Sequence, residues 1–205
     1  MRHLKTFENH NTDTTLLVVD VQKSFKRFFS EMYVNELNKY CQNFQNVYQI
    51  FDNHVDGKNV DKDYLYDENP DIPVNGDLYT FPNQKLLVEK RYTYQVNCEF
   101  FKKILDDKIY KDISKKEKKG LLKSGELFRT SEGTAIVYIG NNHKWMHLGK
   151  KLLNLLESLK GKSVTIVGGA DNECLQDIYM SAVSLGVNIK RDWKYIYSAN
   201  HCPIK

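Results

Sequence analysis

The chain lacks most of what would mark it for a special environment. No stretch approaches the roughly 18 consecutive apolar residues that a membrane-spanning helix needs. Residues 1–14 are polar and lack the apolar segment of a secretory signal. The four cysteines, Cys41, Cys98, Cys174 and Cys202, lie far apart with no CxxC pair, which in a chain of 205 residues argues against a disulfide framework. These absences lead to the expectation of a cytoplasmic protein with no membrane partner. Charge of one sign is scarce too. The net charge is only +4, and the densest basic run, 115–119, is interrupted by Glu117, so it reads as a solvated face and no nucleic-acid partner is expected. There is no internal repeat and no low-complexity tract. What remains is an ordinary globular composition in a length that suits one domain, 1–205, with one core.

What is present is a rhythm of short apolar runs and helical patterns. Residues 15–20, Thr-Leu-Leu-Val-Val-Asp, are apolar enough for a strand buried on both faces and end in an acid. Residues 31–46 carry apolar side chains at helical spacing, and 47–51 read as a second strand with Asp52-Asn53-His54 as its exit loop. The stretch 55–84, rich in Asp, Asn, Pro and Gly, reads as a long irregular connection. Residues 86–89 form a third strand ending at Lys90, 147–160 an amphipathic helix, and 164–168 a fourth strand. Gly169-Ala170 and a helix from about Glu173 to Leu185 follow, and 187–190 begin a last strand. Strands alternating with helices imply a parallel α/β sheet covered on both faces. Residues 100–145 break the rhythm. A Lys-rich helix and a hairpin of 126–130 with 134–139 mark them as an insertion.

Ligands of parallel α/β sheets sit beyond the carboxyl ends of the strands. Three reactive side chains fall at such ends: Asp20, Lys90, and Cys174 at the start of a helix. A thiol at a helix N-terminus meets the positive end of the dipole, and an ammonium such as Lys90 would add to it, so both favour the thiolate. Asp20 would take the thiol proton and hand it to a leaving amine. Free N–H groups at the helix start would hold an oxyanion.

Three segments carry a resemblance. Val19-Asp20-Val21-Gln22-Lys23-Ser24-Phe25 resembles the D-x-Q-x-x-F signature of isochorismatase-like cysteine hydrolases. Glu89-Lys90-Arg91-Tyr92-Thr93 resembles the family's catalytic-lysine segment, and Val167-Gly168-Gly169-Ala170-Asp171-Asn172-Glu173-Cys174-Leu175 its nucleophile turn, in the family's order. The resemblance covers roughly residues 13–105 and 146–198. It implies a three-layer α/β/α, Rossmann-like fold with a six-stranded parallel sheet, to which the 100–145 helix and hairpin are added. It also implies an Asp20-Lys90-Cys174 triad and a cis peptide at Gly169–Ala170. The N–H groups of Ala170 and Cys174 would form an oxyanion hole, and Phe25 would face the substrate.

Asp52-Asn53-His54 resembles the D-x-H of nicotinamidases, a metal-binding branch of that superfamily. The triad itself needs no cofactor. The resemblance would add a divalent zinc, manganese or iron ion on Asp52 and His54, with its shell completed by Asp61, Asp63, Asp67 or water. His143 and His147, four residues apart, read as a surface pair. The function expected is hydrolysis of the C–N bond of a small, nicotinamide-like amide through a thioester, with Phe25 and Tyr92 against the substrate. The alternatives are vinyl-ether hydrolysis of an isochorismate-like acid, which does not require Cys174, and a non-catalytic binding or assembly protein on the same fold. A small-molecule substrate and a homo-oligomer are the expected partners. The apolar hairpin in residues 100–145 is left a sheet edge, the site mouth or another chain to pack on, and the segment is expected either to cover the site mouth or to pack against another subunit.

Overall fold

In the computed structural model of the chain the residues described are 14–52, 78–93, 98–140, 144–198 and 200–204. The first run is β1, Thr15–Val19, with all five residues buried, as a strand covered on both faces requires. Ser30 caps the next element, its hydroxyl accepting from the Tyr33 N–H at 3.2 Å. That element, α1 (Glu31–Cys41), buries Tyr33, Val34, Leu37 and Cys41. β2 (Asn46–Asp52) pairs parallel to β1, and β3 (Gln84–Thr93) parallel to β2. Asp52 therefore closes a strand rather than opening a loop. Lys90 is the last parallel partner in β3, opposite Asp52, and not the strand's end.

Beyond β3 come α2 (Asp107–Lys118), β4 (Glu126–Arg129), β5 (Ala135–Gly140) and β6 (Lys144–Leu148). α3 (Lys150–Ser158), β7 (Ser163–Gly168), α4 (Gln176–Ser184) and β8 (Asn188–Ile196) complete the chain. The sheet has eight strands in the order β4-β5-β6-β3-β2-β1-β7-β8. Five of them, β3-β2-β1-β7-β8, are parallel, and β4, β5 and β6 are antiparallel. The described residues thus hold five parallel strands in place of the six expected. The amphipathic helix expected from 147 begins only at Lys150. Trp-Met-His-Leu before it alternates, with Trp145 in one apolar cluster and Met146 and Leu148 in another, which is strand periodicity.

The inserted segment extends the sheet edge. Arg91, Tyr92 and Thr93, directly after Lys90, pair antiparallel with His147, Met146 and Trp145. The extension then coils. α4 packs against both β8 and β5, which stand six places apart in the sheet. At 4.7–4.9 Å per strand that is about 29 Å in a flat sheet, against a helix diameter of about 10–12 Å. The sheet therefore curls around α4. The Ser184 hydroxyl donates to the Gly125 carbonyl at 2.6 Å, and Ser181 reaches Met146 Sδ at 3.6 Å.

Two apolar clusters flank the parallel strands. One joins Leu16 and Val18 to α1 and to Phe29, Tyr195 and Tyr197. The other joins Leu17, Val19, Ile50 and Val88 to the leucines of α3, to α4, and to Ala135, Val137, Met146 and Leu148 of the extension. A third cluster, Phe101, Ile104, Leu105, Ile113, Ile136 and Trp145, lies where α2 covers the outer side of the hairpin. Trp145 is fully buried there, with Phe101, Phe128 and Tyr138 rings around it. Its role is structural. No helix among the described residues is long and apolar enough to cross a membrane.

The α1-side core is rich in buried acids that are neutral at physiological pH. Burial holds the Tyr33 and Tyr197 phenols well above their ordinary value and pushes the Cys41 thiol up to about 12. In the unfolded chain these groups lose their protons near pH 9–10, while the folded protein keeps them. The folded state then binds more protons, so stability falls as pH rises. The urea midpoint is expected to drop steadily above about pH 9, with phenolate absorbance appearing together with unfolding. Phenolate formation well ahead of unfolding would contradict this burial.

Candidate active site

Asp20 follows the last residue of β1 in a left-handed conformation, φ 52°. Its N–H donates to the Ile50 carbonyl at 2.9 Å, and its own carbonyl accepts from the Gln22 N–H at 3.0 Å and the Tyr197 hydroxyl at 2.7 Å. These bonds fix the strand end against β2 and β8. From there the carboxylate meets Lys90, whose Nζ lies 2.8 Å from Oδ2, with Lys90 0% and Asp20 1% exposed. Since β2 separates β1 from β3, Lys90 reaches across β2 to make this pair.

The neighbouring strand β7 brings the thiol. Gly168 pairs with Val19 and has φ 103°. A Cβ there would stand 2.0 Å from the Val19 carbonyl oxygen, so no larger residue fits. At Gly169 a Cβ would come within 2.5 Å of the Tyr197 ring. The peptide Gly169–Ala170 is cis, as the resemblance implies. Asp171–Leu175 then forms a single π-helical turn, broken at Glu173 (φ −124°, ψ −114°), and α4 begins only at Gln176. Cys174 is half-buried in this turn. The helix expected from about Glu173 is therefore a turn followed by a helix.

The strand order explains why these groups share one end of the sheet. From β1 the chain moves to β2 on one side, and from β7 to β8 on the other. Adjacent strands whose connections diverge leave a crevice at their carboxyl ends. Asp20 and the Cys174 turn flank that crevice. Tyr197 meets both sides, its hydroxyl donating to the Asp20 carbonyl and its carbonyl accepting from the Asp171 N–H that opens the turn. After burial, the nearby Asp20, Tyr33 and Cys174 are what hold its phenol up. Sequence reasoning missed Tyr197, although the strand-end rule that selects Asp20 would have selected the residue just past β8 as well.

The other expected site residues are distributed as follows. Gly169 and Ala170 form the start of the turn. Phe25 ends a short 3-10 turn, Lys23–Phe25, and is half-buried. Its ring is 6.4 Å from Phe28, which stacks on Tyr197 at 6.4 Å, so Phe25 continues an aromatic wall from the crevice. Tyr92 lies in β3 opposite Met146 and Asp52 in β2 opposite Lys90. The side chains of these two, and His54, Asp61, Asp63, Asp67 and His143 entirely, lie outside the described residues. Among the described residues no group of three or more His, Cys, Asp or Glu could hold a metal ion. His147 is not on the surface as expected. It is 3% exposed, with Nε2 3.1 Å from Thr134 Oγ1, because β6 carries it inside the antiparallel sheet.

No protein-family model matches the chain, and no curated protein does. Among solved structures the chain is similar to a nicotinamidase from Staphylococcus aureus, 18% identical, over 92% of this chain and 87% of that one, with a TM-score of 0.39.

Two outcomes follow from this geometry. Lys90→Ala takes the cation away from a buried carboxylate and is expected to cost about 3–5 kcal/mol. The double variant Asp20→Asn/Lys90→Met, which removes both charges, should recover most of it. Denaturant unfolding of the single and double variants checks this, and equal stability of the two would mean the pair is solvated. Among the described thiols, Cys174 should react with iodoacetamide fastest near neutral pH and Cys41 slowest, since Cys41 is buried with its pKa pushed up to about 12. Equal labelling of Cys41, Cys174 and Cys202 at pH 6 would sink the activated thiol.

Proposed function

We propose that the protein is a cysteine hydrolase that cleaves the C–N bond of a small amide through a thioester. The observation that carries this reading is the buried Asp20–Lys90 ion pair at the crevice that the Cys174 turn flanks. Desolvation makes such a pair a poor device for stability, and apolar replacements of buried pairs are often neutral or stabilising by about 1–4 kcal/mol. A chemical task accounts for keeping two charges there.

In this mechanism the Asp20 carboxylate takes the proton from Cys174, and Sγ attacks the amide carbonyl carbon. The carbonyl π electrons move to oxygen, and the N–H groups of Ala170 and Cys174 hold the oxyanion. When the tetrahedral intermediate collapses, the C–N bond breaks and Asp20 returns the proton to the departing amine. Water then attacks the thioester, gives its proton to Asp20, and the carboxylic acid leaves as the thiol re-forms. Lys90 keeps Asp20 ionised between cycles and favours the thiolate. Phe25 and Tyr92 would line an aromatic side of the substrate. The D-x-H resemblance puts nicotinamide first among amides to try, with a divalent metal on Asp52 and His54.

The test is ammonia release from a panel of small amides, with and without added zinc or manganese. Turnover of at least one amide is expected. It should be lost in Cys174→Ala and in Asp20→Asn, and double variants should lose little more, because the groups act as a unit. Near-full activity of Asp20→Asn would require another base. If Asp52 and His54 are ligands, the purified protein should carry about one transition-metal ion per chain, lost in His54→Ala. Metal-free protein with full turnover would remove both from the site.

A further inference from the structure

The turn that carries Cys174 is attached to β8 by more than its backbone. The Asp171 N–H donates to the Tyr197 carbonyl at 2.9 Å. A second attachment comes from Arg191, in the middle of β8 opposite Ile166 of β7. One guanidinium nitrogen of Arg191 lies 3.5 Å from Asp171 Oδ1, and the other donates to Gln176 Oε1. Asp171 is the first residue of the turn, and Gln176 is the residue that follows its last, Leu175. One planar group thus spans the turn from end to end, with Cys174 between its two anchors. The guanidinium is itself held. The Tyr179 ring centre lies 4.4 Å from it and that of Trp193 5.2 Å, and the side chain is only 17% exposed.

The turn needs such a brace. It is one helical turn with a break at Glu173, the residue just before Cys174, so its internal bonds alone leave the direction of the thiol poorly set. We propose that Arg191 is a positioning residue, a two-pronged clamp that holds both ends of the Asp171–Leu175 turn and so aims Cys174 at the crevice. The proposal rests on Cys174 being the nucleophile. Lys in its place would keep the charge but not the planar fork that reaches both anchors at once. Loss of the cation would also leave the Asp171 carboxylate uncompensated three residues from the thiol, which disfavours the thiolate.

Iodoacetamide, which needs no knowledge of the substrate, is the probe, used on the full chain well below its melting temperature. In Arg191→Gln the rate at neutral pH is expected to fall about tenfold or more, with the midpoint of the rate–pH profile moved to higher pH. The other ionisable groups around the turn, Asp20, Lys90, Glu173, Asp177 and Tyr197, stay the same. Arg191→Lys should restore the midpoint but not the plateau rate. A largely exposed pairing contributes little stability, but this one is mostly covered, so the melting temperature is recorded beside each rate. A wild-type rate and profile in Arg191→Gln overturns the proposal, and so does full restoration by lysine. If Arg191→Gln does not fold, Asp171→Asn and Gln176→Ala each remove one anchor. Both are expected to lower the plateau rate of alkylation, with the midpoint in Asp171→Asn moved to lower pH because a carboxylate near the thiol is gone, and wild-type plateau rates in both overturn the clamp. The two readings fail separately. A wild-type Cys174 no faster than Cys202 sinks the nucleophile, whereas a fast Cys174 indifferent to Arg191 sinks the clamp alone.

Discussion

The structure is organised around two opposite charges held without water at the end of its central strands. Removing a carboxylate and an ammonium from water costs several kcal/mol per ion even after relaxation. Their attraction offsets this only if they stay at hydrogen-bond distance, as Asp20 and Lys90 do at 2.8 Å. That distance constrains β1, β2 and β3 together. Asp20 must leave β1 with a left-handed backbone, and it is held there by Ile50, Gln22 and Tyr197. Lys90 must extend across β2. The parallel register, with Val19 opposite Ile50 and Asp52 opposite Lys90, meets both conditions.

The same strand end dictates the glycines of β7. The Val19 carbonyl that Gly168 abuts also accepts the Gly169 N–H at 3.0 Å, so chain approaches chain with no room for a side chain. Tyr197 completes the enclosure. It presses its ring on Gly169 and gives its hydroxyl to the Asp20 carbonyl. One phenol thereby couples the carboxylate strand, the glycine turn and the last strand. The inserted segment joins in from the far edge. It pairs with the three residues after Lys90 and curls over α4, the helix that the Cys174 turn leads into. Its apolar side chains pack into or against two clusters of this chain.

Much of this was legible in the residues because it depends on local pattern. A run such as Leu16-Leu17-Val18-Val19 reads as a doubly covered strand, and the Ser131-Glu132-Gly133 turn flanked by apolar runs reads as a hairpin. The placement of Asp20 and of the Cys174 turn was legible for a different reason: both follow apolar runs that form adjacent parallel strands, so both fall at the carboxyl end of the sheet whatever the sequence between them. What escaped was set by tertiary context. Leu148 has helical spacing with Leu152 and Leu155, yet it serves β6, because pairing of Met146 with Tyr92 and Val137 extends the sheet. His147 is hidden for the same reason. The eight-stranded order, and the coiling that lets α4 meet both β5 and β8, follow from pairings distant in sequence that no periodicity encodes.

The division of labour around Cys174 follows from these two kinds of constraint. The ion pair is rigid because it is buried, and it cannot move without exposing a charge to an apolar core. The thiol turn is only half-buried and irregular, with its backbone broken at Glu173. The proposed reaction shuttles one proton between carboxylate and thiol and needs the two groups at fixed separation, so under that proposal the less rigid partner must be tied to the sheet from outside. β8 and the residue after it carry those ties, through the Tyr197 carbonyl, just past the strand, to Asp171 and through Arg191 in the middle of the strand. In the proposed mechanism an outer strand of the parallel set, which holds no proposed catalytic group of its own, thereby sets the geometry between the carboxylate strand and the thiol turn.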